Sequence, residues 1–544
     1  MKHALAMLAA LVAVNTSDFV YAAPPAKKPA AKRPAAKQPV TDVVVEASIA
    51  ELQKAMQSGK LTSKALTQRY LDRIKALDKA GPQLNSVIEV NPDALKDAEA
   101  MDAERKKQGP RGPLHGIPVL LKDNIATKDK MQTTAGSIAL EGAKSPRDAF
   151  VVTRLRDSGA VILGKTNLSE WANMRSIRST SGWSSRGGLT RNPYALDRSA
   201  SGSSSGSAVA VAASLATVAL GTETDGSIVS PSSANSLVGI KPTVGLVSRS
   251  GIVPISISQD TAGPMARTVA DAAAVLEAIS GTDPADKYTA DASIRKAEYT
   301  KALDRNALKG ARIGVVRSQF GGRNDLQSAV VEKALEAMKA QGAILVDIPE
   351  FVSAEMLGKD ELTVMLYELK NGMNAYLEQY APGAEVKTLD DIIDFNERNR
   401  EKVMPWFGQE HLIAAQEKGA LDSPEYLQAR GNGLRAAREE GINKAMREHK
   451  LDALVAPTAG LPWMIDFIKG DNSGGGFTAA AAVAGYPHVT VPAGYVHGLP
   501  VGLSFVGAAW SEARLIALAY AFEQATKHRR APTYPKTVNV WNSP

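Results

Sequence analysis

The sequence predicts a layered α/β fold built on a mixed sheet, and three observations carry that prediction. Short apolar runs bounded by turn residues recur along the chain, the pattern of buried strands. Helical patterns separate most of these runs, the alternation expected of α/β layers. A composition of 44% hydrophobic and 22% charged residues is that of an ordinary globular protein with a sizeable core.

Taken in order, residues 61–77 read as an amphipathic helix, with Leu66, Tyr70, Ile74 and Leu77 on one face and Thr62 or Ser63 as N-cap. Residues 92–107 read as a second helix with charge pairs at four-residue spacing. A buried strand is expected at 117–121, ending in Lys122 ahead of the polar Asp123-Asn124 turn. Lysine is rarely buried without a partner, so Lys122 either reaches solvent or has a specific role. Another buried strand covers 159–167, and further strands are expected at 312–317, 343–348, 452–457, 488–492 and 501–506. Helical patterns cover 268–279, 327–341, 424–449 and 511–526, and a more helical, more charged insertion spans about 350–450. No internal repeat is present.

The stretch that organises the chain is 199–243. A Gly/Ser loop at 201–207 leads into a small-residue apolar run at 208–220, and a second polar turn, GTETDGS, follows at 221–227. A helix over about 205–214 and a strand to Leu220 return the chain, so Ser203 and Ser227 come back toward each other. Both turns offer free backbone N–H groups, one at a helix N-terminus, which suits an anionic oxygen.

Composition narrows the chemistry. Of the net charge of +7, residues 1–40 carry +5, from six basic residues against Asp18. The rest of the chain is therefore nearly neutral and no nucleic-acid partner is indicated. With no cysteine, disulfides and thiolate sites are excluded. None of the seven histidines forms a close metal-ligand pair, so no metal or organic cofactor is expected, and His115 reads as structural. Residues 1–22 read as a signal peptide, with Lys2 and His3 before the apolar run 4–14 and cleavage after Ala22 or Ala23. That run falls short of the ~20 residues that span a bilayer. Residues 23–40 are a Pro/Ala/Lys-rich linker expected to be disordered. The protein is thus expected to be exported, periplasmic or secreted, without an integral membrane segment after processing. Oligomeric state has no signature in the sequence.

Two familiar motifs are rejected. GSSSG at 202–206 matches G-x-S-x-G with Ser204 as nucleophile, but a loop precedes it where an elbow needs a strand. GAVILGKT at 159–166 matches a phosphate-binding loop, but its apolar, β-branched interior belongs in a sheet ladder.

GSSSGSAVAVAA, LGTETDGSI, GIKPTVGLVSRSGIVPIS and QDTAGPMARTVADAA, with PLHGIPVLLKDN upstream, resemble the amidase signature family of serine hydrolases. The resemblance runs from about Val45 to the C-terminus and looks nearest to bacterial peptide amidases. It implies one α/β/α domain over 41–544, a many-stranded twisted sheet, and amide hydrolysis through an acyl-enzyme. It further implies Ser227 as nucleophile, Ser203 as bridge after a cis Gly202–Ser203 bond, Lys122 as base, and backbone N–H groups of Thr224, Asp225, Gly226 and Ser227 as oxyanion hole. Burial disfavours the ammonium of a lysine and lets it act as a base, and Ser-Lys pairs are a known solution to acyl transfer. Asp225 departs from the glycine of many relatives and alters the wall of that turn. Pocket walls are expected from Trp171, Asn173, Met174, Thr458 and Trp463. The implied substrates are C-terminal amides of peptides, alongside small aliphatic or aryl amides. The alternatives are a non-catalytic binding homologue and a glutamine-using, amidotransferase-like subunit.

Overall fold

The computed structural model describes residues 43–320 and 325–538. The expected signal peptide (1–22) and linker (23–40) lie outside the described residues. Among the described residues thirteen strands are β1 (Val87–Val90), β2 (Pro118–Lys122), β3 (Val161–Thr166), β4 (Trp183–Ser184), β5 (Gly188–Leu189), β6 (Val218–Glu223), β7 (Val238–Lys241), β8 (Thr261–Ala266), β9 (Arg312–Val316), β10 (Ile344–Ile348), β11 (Ala453–Pro457), β12 (His488–Val496) and β13 (Leu499–Val506). Eleven of them form one sheet in the order β1-β3-β2-β6-β8-β7-β12-β13-β11-β9-β10, and β4 pairs with β5 apart from it. The sheet is mixed: β3-β2-β6 and β11-β9-β10 are parallel, while β6-β8-β7-β12-β13-β11 alternate antiparallel. Helices flank this sheet in one large α/β domain.

Each expected strand is present. β2 and β3 are buried along their whole length, as their continuous apolar runs require. The phosphate-loop lookalike is β3, whose backbone is committed to β1 and β2. Lys165 in it is buried and donates to Ile125 C=O at 2.6 Å and Thr133 Oγ1 at 2.8 Å, so it ties down the loop after Lys122.

Helix Ser205–Ala212 packs on β6, β8, β2 and β3, and every one of its residues is buried. Close approach explains its composition: a Cβ at Gly206 would sit 2.2 Å from Ser86 C=O. The helix Ser63–Arg73 carries the expected cap, Thr62 Oγ1 accepting from Ala65 N–H at 3.0 Å. The insertion is built on the long helix Ala354–Tyr380, packed against Glu410–Gln416, Pro424–Leu434 and Ala479–Ala484.

Two expectations need adjustment. The helix expected over 424–449 is broken into Pro424–Leu434, a π-helical segment Arg435–Ile442 and Asn443–His449. Gly441 leaves helical geometry at φ −103°, ψ −106°, and glycine costs the helix least when it does so. β1, β4, β5, β7 and β8 are additions to the expected strands, and in β8 the stretch TAGPMA places Gly263 and Pro264 inside the strand. β7 engages β8 only at Met265 and Ala266, which leaves Pro264, with no N–H, opposite the end of that ladder.

Candidate active site

β2 and β6 run side by side in parallel, and their C-terminal ends carry the polar residues of the site. Lys122 closes β2 and is fully buried. Its ammonium nitrogen lies 2.8 Å from Ser203 Oγ, 2.8 Å from Thr222 Oγ1 and 3.2 Å from Thr222 C=O. Asn124 Nδ2 donates to the same Thr222 Oγ1 at 2.9 Å. Burial pushes the Lys122 amine down to about 7, against the opposing pull of Asp260 and Glu223.

Ser203 stands just before the Ser205–Ala212 helix, after a cis Gly202–Ser203 peptide bond. Its carbonyl accepts from Ser169 N–H at 3.1 Å. The next residue ties the two serine turns together: Ser204 N–H donates to Ser227 C=O at 3.2 Å. Ser204 Oγ itself donates to Thr222 C=O at 3.1 Å and accepts from Thr222 N–H at 3.2 Å. That hydroxyl is sealed against β6 and unavailable as a nucleophile, which agrees with rejecting the elbow motif. Ser227 Oγ, by contrast, makes no hydrogen bond among the described residues.

The turn between β6 and the short helix Val229–Ala234 presents Thr224, Asp225, Gly226 and Ser227. Their N–H groups donate to no acceptor among the described residues, as an anion cradle requires. Gly226 holds φ +75°, a left-handed conformation that favours glycine. The cradle is braced from beneath by Glu223, whose Oε2 accepts from Ile228 N–H at 2.7 Å and Val229 N–H at 3.0 Å. Burial raises the carboxyls of both Glu223 and Asp225 above the usual range.

The expected pocket residues divide. Trp171 and Asn173 lie in a turn that runs through three successive left-handed residues, Trp171 (φ 51°), Ala172 (φ 53°) and Asn173 (φ 74°). Such backbone costs about 1–3 kcal/mol per residue and concentrates at functional sites. Trp171 N–H donates to Ala135 C=O, and Met174 N–H to Trp171 C=O, both at 3.0 Å. Asn173 Nδ2 donates to Ser181 Oγ at 3.3 Å, and Trp463 Nε1 to Asp471 Oδ1 at 3.0 Å. Asp471 also accepts from Ser181 N–H, so Asn173 and Trp463 meet through Ser181, which packs against Gly202. Thr458 is fully buried, and its hydroxyl is bonded to Thr490 at 2.6 Å and Ser504 at 3.0 Å. That residue braces neighbouring strands, with its hydroxyl already spent. His115 is structural, its ring nitrogens engaged by Met101 C=O and Arg111 N–H.

Thr222, Asn124 and Asp260 are site residues that sequence reasoning misses. All three lie inside the motif stretches, Asn124 in PLHGIPVLLKDN, Thr222 in LGTETDGSI and Asp260 in QDTAGPMARTVADAA, and a hydroxyl just past the apolar run ending at Leu220 is the available signal for Thr222. Among the described residues no cluster of three or more His, Cys, Asp or Glu is arranged to hold a metal, and no helix is long and apolar enough to cross a membrane.

Comparison with known proteins places the chain in a family. Residues 65–516 match the Amidase family. The fold superposes on the native peptide amidase from Stenotrophomonas maltophilia with a TM-score of 0.86 at 52% identity, over 90% of this chain and 99% of that one. A probable amidase of Arabidopsis thaliana is 44% identical over 90% of this chain and 92% of its own length. One glutamyl-tRNA(Gln) amidotransferase subunit, from Halorhodospira halophila, is 34% identical over 90% of this chain and 99% of its own. With the family matched across most of its length on a shared α/β fold, the chain belongs to the amidase signature family and is an amidase.

Proposed function

We propose that this amidase hydrolyses the C-terminal carboxamide of peptides through an acyl-enzyme on Ser227. The observation that carries the mechanism is the 2.8 Å contact between Lys122 Nζ and Ser203 Oγ, both fully buried. A lysine held near 7 supplies a neutral amine in a large fraction of molecules at neutral pH. Neutral Lys122 accepts the Ser203 proton as Ser203 takes that of Ser227. Ser227 Oγ then bonds to the amide carbon, and the carbonyl oxygen becomes an oxyanion facing the N–H groups of the 224–227 turn. Such donors act on charge present only in the transition state, each contributing about 2.7–4 kcal/mol. The proton returns through Ser203 to the leaving nitrogen, the C–N bond breaks and ammonia departs. A water then attacks the ester, its proton retraces the path, and carboxylate and free Ser227 result.

The likeness to the peptide amidase supports the substrate class. The likeness to the amidotransferase chain keeps one rival, glutamine as ammonia donor. Purified protein is therefore assayed against peptide amides, aliphatic amides, aryl anilides and glutamine. Peptide amides are expected to be turned over fastest. Preferential release of glutamate from glutamine would replace this reading with the amidotransferase one.

We also propose export, supported by Lys2, the apolar run at 4–14 and the small residues Ala22 and Ala23. Mass spectrometry of envelope-fraction protein is expected to give an N-terminus at Ala23 or Pro24. Intact chains beginning at Met1 and confined to the cytosol would refute it.

A further inference from the structure

Asp260 is nine-tenths buried at the start of β8 and belongs to neither serine turn. Its Oδ1 accepts from Thr224 Oγ1 at 2.6 Å, the first residue of the anion cradle. Its Oδ2 accepts from Ile255 N–H at 2.8 Å and Ser256 N–H at 2.9 Å. Beside it, Gln259 Nε2 donates to Thr224 C=O at 3.4 Å, so two successive residues grip the same point of the turn.

Asp260 also borders the surroundings of Lys122. A cavity of about 10 Å³ is bounded by Asp260, Thr224, Thr222 and Asn124, and the last two are the hydrogen-bond neighbours of the lysine. That volume suits about one water, and Asn124 Oδ1, buried, has no protein partner. Asp260 also lines a cavity of about 330 Å³ with Arg249, Tyr376 and Tyr380. The carboxylate thus borders both the hydrogen-bond neighbours of Lys122 and a second, larger cavity.

We propose that Asp260 is a positioning residue that holds the Thr224–Ser227 turn and, by its negative charge, governs the protonation of Lys122. The inference rests on the Ser227-Ser203-Lys122 reading above. The charged groups around the pair are Glu223 on β6, Asp225 in the cradle turn, Arg249 on the preceding loop, and Glu361 and Glu368 on the Ala354–Tyr380 helix. Arg249 is already paired with Asp286, Glu361 with Gln259, and Glu368 with Ser256 and Ser258. Asp260 is the largest opposing charge on the lysine, and burial holds its own carboxyl up at about 6.

A carboxylate near Lys122 favours the ammonium, so it raises the pH at which the free base appears. Full-length protein is assayed for ammonia release and for fluorophosphonate labelling of Ser227 across the acid limb. Asp260→Asn is expected to move the limb to lower pH by about one unit and to lower the plateau. Asp260→Glu should return the limb toward wild type. Thr224→Val keeps the backbone N–H but removes a donor from the carboxylate, so the limb should move the same way by less. A lowered plateau with the limb unmoved in both Asp260→Asn and Thr224→Val would overturn the proposal, as would an unchanged Asp260→Asn profile. If Asp260→Asn does not fold, Thr224→Val decides alone, a moved limb supporting and an unmoved one overturning. Retained turnover in Ser227→Ala would instead defeat the underlying catalytic reading, whatever the limb does.

Discussion

Ser227→Ala is expected to release no ammonia above background from any amide, a loss on the order of 10⁵–10⁶-fold. Without Oγ there is no atom to carry the acyl group, while the N–H groups of the 224–227 turn and the Lys122–Ser203 contact remain in place. Substrate should still bind, and mass spectrometry should find no acylated chain. Ser203→Ala removes only the bridge. A water can partly replace a hydroxyl between lysine and nucleophile, so turnover should fall by several powers of ten yet stay measurable, and fluorophosphonate should still label Ser227 slowly. The order of the two losses is the diagnostic. Ser204→Ala should keep substantial activity, since that hydroxyl only pairs with the backbone of Thr222. Should Ser204→Ala abolish labelling while Ser227→Ala turns over, the nucleophile has been misassigned.

The wild-type rate is expected to rise with pH through an apparent value near 7 and then level off, because only neutral Lys122 can accept a proton. Below that point each pH unit should cost about tenfold. Lys122→Ala should lower turnover by about 10²–10⁴-fold and abolish the limb, since the group that titrates is gone. Lys122→Arg should be no better, because the guanidinium stays protonated and holds a charge that Thr222 C=O and Ser203 Oγ cannot offset in a buried site. An acid limb that persists unshifted in Lys122→Ala would assign the titration to another group, with Asp260 the first to test.

The Ser203 and Ser227 turns are legible in the sequence because local chemistry determines them. Gly and Ser cluster where the chain must turn, and the small residues of 208–220 admit only a tightly packed helix and strand. β2 and β3 announce themselves through unbroken apolar runs, and Lys122 through its place at the end of one of them. β7 and β8 do not, since Gly263 and Pro264 speak against a strand. Gly263 is needed because a Cβ there would lie 2.0 Å from Ile240 C=O, on a neighbouring strand that only the folded sheet brings close.

The site divides in the same way. Which hydroxyls and which lysine are present is a matter of sequence, and the family resemblance names them. That Ser204 is occupied by Thr222 while Ser203 faces Lys122 is decided by the register that sets β2 beside β6 and seats the Ser205–Ala212 helix on both. Thr458 reads as a pocket wall, but its hydroxyl is held in a buried chain with Thr490 and Ser504. Asp260 lies inside the QDTAGPMARTVADAA stretch, but nothing local to it marks a role at the serine turns. Its importance comes from being folded against Thr224, 36 positions earlier, with a one-water gap to the surroundings of Lys122. Sequence determined the composition of the chemistry. Burial moves Lys122 toward neutrality, and long-range contact separates the role of Ser203 from that of Ser204 beside it. Both exist only once the sheet has closed around them.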